Sequence, residues 1–318
     1  MEFNSIDFGI FFTIVFISYW ILFNKNIKQR NIFLILISYL FYGWWDWRFL
    51  SLIIISSFID FIIGNKIYEE TDKTKKKRLL LISLSVNLGF LGFFKYFNFF
   101  IGNFVEAFSF LGLETDSIYL NIILPVGISF YTFQTLSYTI DIYNKKFEPT
   151  KDLSAFFAFV SFFPQLVAGP IERAKNFLPQ FYELRPISYD LIRSGLLLMT
   201  LGFFKKIVIA DRLSLFVNSA YSDLQNIDGV VAIFAIIFFA FQLYFDFSAY
   251  SDIAIGSART IGFKLSKNFN SPYLSSSFSK FWNRWHISLS SWFKDYLYIP
   301  LGGNRASSIK VTQNILVV

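Results

Sequence analysis

Residues 229–255 read GVVAIFAIIFFAFQLYFDFSAYSDIAI. From Gly229 to Phe247 the only charge is Asp246, and a bilayer core about 30 Å thick takes roughly 20 apolar residues in a helix. The stretch therefore predicts a membrane span. Within it Gln242, Asp246 and Tyr250 recur at i, i+4 and i+8, one polar stripe on a helix, with Ser248 and Asp252 in a second row beside it. A carboxylate at membrane depth is costly unless paired or hydrated. The stripe is thus either the polar wall of a cavity or a hydrogen-bonded helix-packing contact.

The rest of the chain has the same character. Of 318 residues, 54% are hydrophobic and 16% charged, where a soluble domain carries about 25% charge; mean hydropathy is +0.49. Further candidate spans are Phe8–Phe23, Asn31–Trp45, Phe49–Gly64, Leu79–Phe104, Leu120–Ile140, Leu153–Ala168 and Leu191–Ile209. No basic region precedes Phe8, so the first is read as a span and not a cleaved signal. Loops 24–30, 65–78 and 141–151 hold twelve Lys and Arg, against one in 1–7, 43–48 and 105–119. The first set is expected in the cytoplasm, the run EETDKTKKKR at Glu69–Arg78 among it, and the N-terminus outside.

After Lys151 the alternation fails. Pro164, Pro170 and Pro179 interrupt the next apolar stretch, and a full crossing by Leu153–Ala168 would put Arg173 and Lys175 outside, so a re-entrant segment is expected there. The fold class is an all-α polytopic integral membrane protein with about eight or more transmembrane or re-entrant helices. Residues 1–318 read as a single membrane-embedded domain without internal repeats.

The chain has no cysteine and one histidine, His286, which excludes disulfides, thiolate chemistry and multi-His metal centres within it. Walker A, dinucleotide, H-E-x-x-H and G-x-S-x-G patterns are absent. The whole net charge of +7 lies between Gly256 and Lys310, where eight basic residues face one acid, Asp295. These cations sit among membrane segments, which argues against a nucleic-acid partner; they suit an anionic donor such as acyl-CoA, or lipid headgroups.

In their midst lies KFWNRWHISLSSWFKDYLYIPLGGNR, Lys280–Arg305. On a continuous helix Trp282 and His286 share one face, and Trp285 and Trp292 a neighbouring one. Pro300, Gly302 and Gly303 predict a sharp turn after Asp295 and Tyr296. The stretch suits an interfacial helix with aromatic anchors. A histidine in a partly dry cavity is also a natural acceptor for a hydroxyl proton.

Several stretches together resemble the membrane-bound O-acyltransferase family, in its alginate O-acetyltransferase-like branch. They are Lys280–Arg305, LPVGISFYTFQTLSYTIDIY at Leu124–Tyr143, FPQLVAGPIER at Phe163–Arg173 and LYFDFSAYSDIAIG at Leu243–Gly256, with FYGWWD at 41–46 and GFFKYFNFF at 92–100. The resemblance implies a ring of helices around a central funnel in a bacterial inner membrane, without a bound cofactor. It implies transfer of an acyl group, expected to be acetyl from acetyl-CoA, towards hydroxyls of an exported polysaccharide, with periplasmic or extracellular acyltransferase partner proteins. His286 matches the first of the family's two histidine positions and is the expected catalytic residue within this chain, shaping the cavity and orienting donor or acceptor, while the second histidine is the expected general base. Trp282, Arg284, Trp285, Gln242, Asp246, Tyr250, Asp252, Asp295 and Tyr296 are expected to line the substrate site. The second histidine would lie beyond Val318, so the chain is expected to be the N-terminal portion of a longer protein. Intramembrane acids and broken helices also suit a transporter or flippase, or a non-catalytic membrane scaffold.

Overall fold

The computed structural model describes residues 1–110, 122–224, 227–305 and 307–317, and all regular structure among them is helical. Residues 120 and 121 of the span expected at Leu120–Ile140, and 111–119 of the connection before it, lie outside the described residues. The N-terminal half contains α1 (Ile6–Ser18), α2 (Ile27–Asp46), α3 (Leu50–Glu69), α4 (Lys73–Leu91) and α5 (Phe97–Phe110). Capping fixes several starts: the side chains of Ser5, Asn26 and Asp72 accept hydrogen bonds from N–H groups of the first turn. Asp46 leaves the helix with an extended backbone (φ −160°, ψ 110°), which separates α2 from α3. Each is 20 residues, or about 30 Å, long.

Among the described residues four helical stretches are long and apolar enough to cross a membrane: Ile6–Phe23, Ile27–Glu69, which holds both α2 and α3, Lys73–Val105 and Gly229–Thr260. Next come α6 (Ile128–Tyr143), α7 (Leu153–Ser161), α8 (Phe163–Leu166) and α9 (Ala174–Phe177). Inside the bundle of α3, α4 and α6, the Asp60 carboxylate accepts from Ser83 Oγ at 2.6 Å and Asn87 Nδ2 at 2.8 Å, and Thr135 donates to Asn87 at 3.3 Å. Polar groups in a spanning helix are thereby satisfied from neighbouring helices.

The segment α7–α8 is the centre of the core. Phe156, Phe159, Phe162 and Phe163 are fully buried. Pro164 lacks the N–H that would carry the α7 ladder onward, and Phe162 turns out of helical geometry (φ −49°, ψ 109°). Beyond α8 the chain returns to the side from which α7 entered. Asn65 donates to the Thr150 carbonyl at 3.1 Å and Tyr182 to the Thr150 hydroxyl; Arg30 donates to the carbonyls of Phe181 and Glu183. Lys175 shares one surface groove with Glu69, Glu70, Lys145 and Lys146. All three basic loops therefore meet residues 175–183 at one end of the molecule, the cytoplasmic end by their charge. The candidate span Leu153–Ala168 is thus the re-entrant segment expected from Pro164, Pro170 and the failed charge alternation.

The remaining large elements are α10 (Tyr189–Phe203), α11 (Asp211–Ser222) and α12 (Gly229–Thr260). A wide π turn, Phe204–Ala210, joins α10 to α11. The far end of α12 is tied to the cytoplasmic end of the protein, since Trp20 donates to the Thr260 carbonyl at 3.2 Å and Gln180 to the Lys264 carbonyl at 2.9 Å. So α10 runs outward and α12 returns. Glycine lets them touch: a Cβ on Gly256 would lie 2.6 Å from the Gly195 carbonyl oxygen, and one on Gly195 2.7 Å from that of Gly256. Three short helices complete the chain, α13 (Phe278–Trp282), α14 (Ile287–Phe293) and α15 (Ser308–Val317).

Candidate active site

His286 stands at the N-cap of α14 with φ 42° and ψ 55°, a left-handed conformation rarely taken by a residue with a Cβ. This corrects the expectation of a continuous helix. Because α13 ends at Trp282 and the backbone reverses hand at His286, Trp282 and His286 do not share a helix face. Nor do Trp285 and Trp292 belong to one helix. Trp282 is half exposed. Trp285 stacks on Phe281 at 5.5 Å between centroids and meets Phe269 edge-on, while Trp292 is buried and donates to the Phe133 carbonyl at 2.8 Å.

The imidazole is buried, with its Nε2 lacking a hydrogen-bond partner among the described residues. It meets Phe247 of α12 edge-on at 4.7 Å and lies 6.1 Å from Phe130 of α6. Phe247 is 13 residues from Thr260 and Phe130 is 11 from Asp141, and both of those residues sit at the cytoplasmic end. His286 is therefore roughly 16–20 Å in from that end, near the middle of a bilayer core. It opens onto a cavity of about 500 Å³ whose lining includes Leu91, Lys95, Ser129, Phe133, Ala168 and Leu289. The wall is largely apolar, with one cation, two hydroxyls (Tyr96 and Ser129) and one imidazole. Lys95 lies 3.5 Å from Ser129 through Nζ and Oγ.

Strain at a non-glycine left-handed residue persists only where the surroundings impose it. Here the clamp is the loop after α12. The Asn268 carbonyl accepts from Ile287 N–H at 2.9 Å, and its side-chain oxygen accepts from the Ser288 hydroxyl at 2.9 Å. Its amide nitrogen donates to Ser251 of α12 at 3.1 Å, and its side chain is fully buried. Asn270 N–H donates to the Arg284 carbonyl at 2.9 Å, so Arg284 enters through its backbone.

The polar stripe of α12 faces another partner. Asp252 accepts from Lys205 and Asp246 from Lys206, both at 2.6 Å, and Lys206 also reaches Asp211 at 3.0 Å. Tyr250 packs near Lys206, whose ammonium lies 5.6 Å from the ring centroid. Gln242 has a buried amide oxygen without a partner among the described residues. The stripe is thus a charged seam between α10–α11 and α12, with the acids paired, and it is not part of the His286 lining. Tyr250 instead lines a smaller cavity, about 220 Å³, with Phe3, Tyr42 and Trp45. The two cavities share Ala168.

Asp295 and Tyr296 form a third group. Arg173 pairs with Asp295 at 3.3 Å and lies 4.5 Å over the Tyr296 ring, and the Tyr296 hydroxyl donates to Asp141 at 2.8 Å. The neighbouring Glu172 accepts from both the backbone N–H and the hydroxyl of Ser266. Burial pushes its carboxyl up to about 7, with the Ser266 hydrogen bonds countering in part.

Sequence reading missed Lys95, Lys205, Lys206, Glu172 and Asn268. A signal existed for the lysine pair: KK within Leu191–Ile209 is a charge in a candidate span and asks for an acidic partner. Asn268, in a polar loop, carried none.

The sequence profile of the membrane-bound O-acyltransferase family matches residues 150–318. The chain belongs to this membrane-bound O-acyltransferase family. The family match runs through the re-entrant segment, the α12 seam and His286. Over 318 aligned residues the chain is 40% identical to a probable alginate O-acetylase of Pseudomonas syringae pv. tomato, covering all of this chain and 60% of that one. It is 36% identical to a peptidoglycan O-acetyltransferase of Helicobacter pylori, over 97% of this chain and 63% of the relative. A teichoic acid D-alanyltransferase of Bacillus subtilis is 28% identical over 56% of this chain and 46% of its own. The chain thus spans about 60% of the curated O-acetylases it matches.

Proposed function

We propose that the protein is an O-acyltransferase that moves an acyl group, in the first instance acetyl, from a cytoplasmic thioester donor such as acetyl-CoA towards hydroxyls of an exported polysaccharide. The observation that carries this is the His286 cavity: a buried imidazole with an unengaged Nε2, at mid-membrane depth, in an apolar pocket with a single ammonium. The His286 imidazole accepts the hydrogen bond of the acceptor hydroxyl and orients its oxygen at the thioester carbonyl. The C–O bond forms, the C–S bond breaks, and the proton lost by the acceptor hydroxyl ends on the leaving thiolate. Lys95 supplies positive charge for the anionic part of the donor or for the developing oxyanion. Asp295 and Tyr296 lie at the margin of the site, tied to Arg173 and Asp141.

The names of the relatives, an alginate O-acetylase and a peptidoglycan O-acetyltransferase, support a polysaccharide acceptor. A place in a bacterial inner membrane, with periplasmic or extracellular acyltransferase partners receiving the acyl group, fits an acceptor outside the cell. A transporter drew its appeal from intramembrane acids and broken helices; Asp246 and Asp252 are each paired with a lysine and the break leads to the His286 cavity, which favours the acyltransferase.

The test is transfer of labelled acetyl by the purified full-length protein, wild type against His286→Ala. Loss of transfer with an intact fold is expected; unchanged transfer would overturn the role of His286.

A further inference from the structure

One motif remains without a role in this chemistry, the strap GPIER at Gly169–Arg173 beyond the re-entrant segment. Two consecutive residues of the strap have separate partners, one before and one after the segment that carries His286. Glu172, 2% exposed, holds both the N–H and the hydroxyl of Ser266. Two residues further on, Asn268 fixes Ile287 and Ser288, the residues immediately after His286. On the other side Arg173 holds Asp295 and covers Tyr296, just past the end of α14. The strap also contributes to the cavity wall through Ile171. A carboxylate buried this deeply gains little for the fold by itself, because desolvation opposes its hydrogen bonds. Its geometry serves the loop it holds.

We propose that Glu172 and Arg173 are positioning residues for acyl transfer: from one strap they hold the loop before His286 and the helix end after it, and so keep the imidazole in its left-handed, cavity-facing pose. This rests on the reading of the His286 cavity as the acyl-transfer site. Glu172 acts through Ser266 and Asn268, and Arg173 through Asp295 and Tyr296. Neither needs to touch substrate.

The test uses the full-length protein in detergent or nanodiscs, with labelled acetyl transfer and the folded fraction measured by size exclusion. Glu172→Ala is expected to lower kcat per folded molecule by roughly 10- to 100-fold, with the donor KM within about twofold of wild type. Glu172→Gln keeps an oxygen for the Ser266 N–H and recovers most of that loss. A purely structural role would lower the folded fraction and leave kcat per folded molecule alone. The decisive comparison is the double variant Glu172→Ala/His286→Ala, which is expected to be no slower than His286→Ala by itself. Multiplying losses would show that Glu172 acts elsewhere and would overturn the inference, as would a wild-type kcat in Glu172→Ala. If Glu172→Ala does not fold, Asn268→Ala stands in its place with the same expected non-additivity. Unchanged transfer in His286→Ala would instead sink the site reading itself, and the strap's role with it.

Discussion

Gly256→Ala tests the contact that sets α12 in place. The new methyl would lie 2.6 Å from the Gly195 carbonyl oxygen, 2.7 Å from Met199 Cγ and 2.9 Å from Met199 N. Ordinary contact begins at 3.4 Å. Two of the three neighbours are backbone atoms, which cannot swing aside as a side chain can. The helices must part by most of an ångström, and overpacking of this kind costs about 1–3 kcal/mol. Five residues before Gly256 on the same helix, Ser251 holds Asn268 and through it the His286 backbone, so acyl transfer falls with stability. Gly89→Ala in α4 is the control, since nothing lies within 4 Å of its added Cβ; there alanine is neutral or stabilising by up to about 1 kcal/mol. The assay is the apparent melting temperature of the purified protein in one detergent, together with transfer activity. Equal melting temperatures for Gly256→Ala and wild type would refute the close approach of α10 and α12.

The geometry sets three more outcomes. With Glu172 raised from 4.5 to about 7, the folded state binds the extra proton between those values. The protonated form's contribution, on the order of 3 kcal/mol at most, is complete below pH 4.5 and lost as pH rises through 7; Glu172→Gln should flatten the fall in melting temperature over that window. Lys205→Ala leaves Asp252 unpaired in a half-dry seam and should cost about 1–3 kcal/mol, with the double variant Lys205→Ala/Asp252→Ala regaining part of it; an equal loss in both would refute the pairing. His286→Asn should fold as well as wild type, because asparagine tolerates the left-handed backbone, whereas β-branched His286→Val should fold poorly; equal yields would refute the strain.

The features legible in sequence were those written in one stretch of chain. The α12 stripe fell on one face as its spacing required, the basic loops gathered at one end of the molecule as their charge pattern asked, and Pro164 marked the break in the re-entrant segment. Missing were relations between distant stretches. Lys206 meets Asp246 across 40 positions and Glu172 meets Ser266 across 94, and no local period records such a pairing. The break at His286 was also hidden. A left-handed turn is announced by glycine or asparagine, and here a histidine is forced into it by hydrogen bonds from a loop nearly 20 residues earlier in the chain.

The re-entrant segment has a consequence for how the protein is made. Its phenylalanines cannot be left in lipid as a finished span, because α7 and α8 are only 9 and 4 residues long. One of their partners, α2, has already been synthesised when they emerge. Another, Phe263, whose ring sits 4.8 Å from Phe162, arrives roughly a hundred residues later, about 5–20 s at ordinary translation rates. For that interval the future centre of the molecule is a half-inserted hairpin without its far wall. The core closes when α12 and the loop beyond it arrive, and the same loop brings Asn268, the clamp that holds the backbone beside His286.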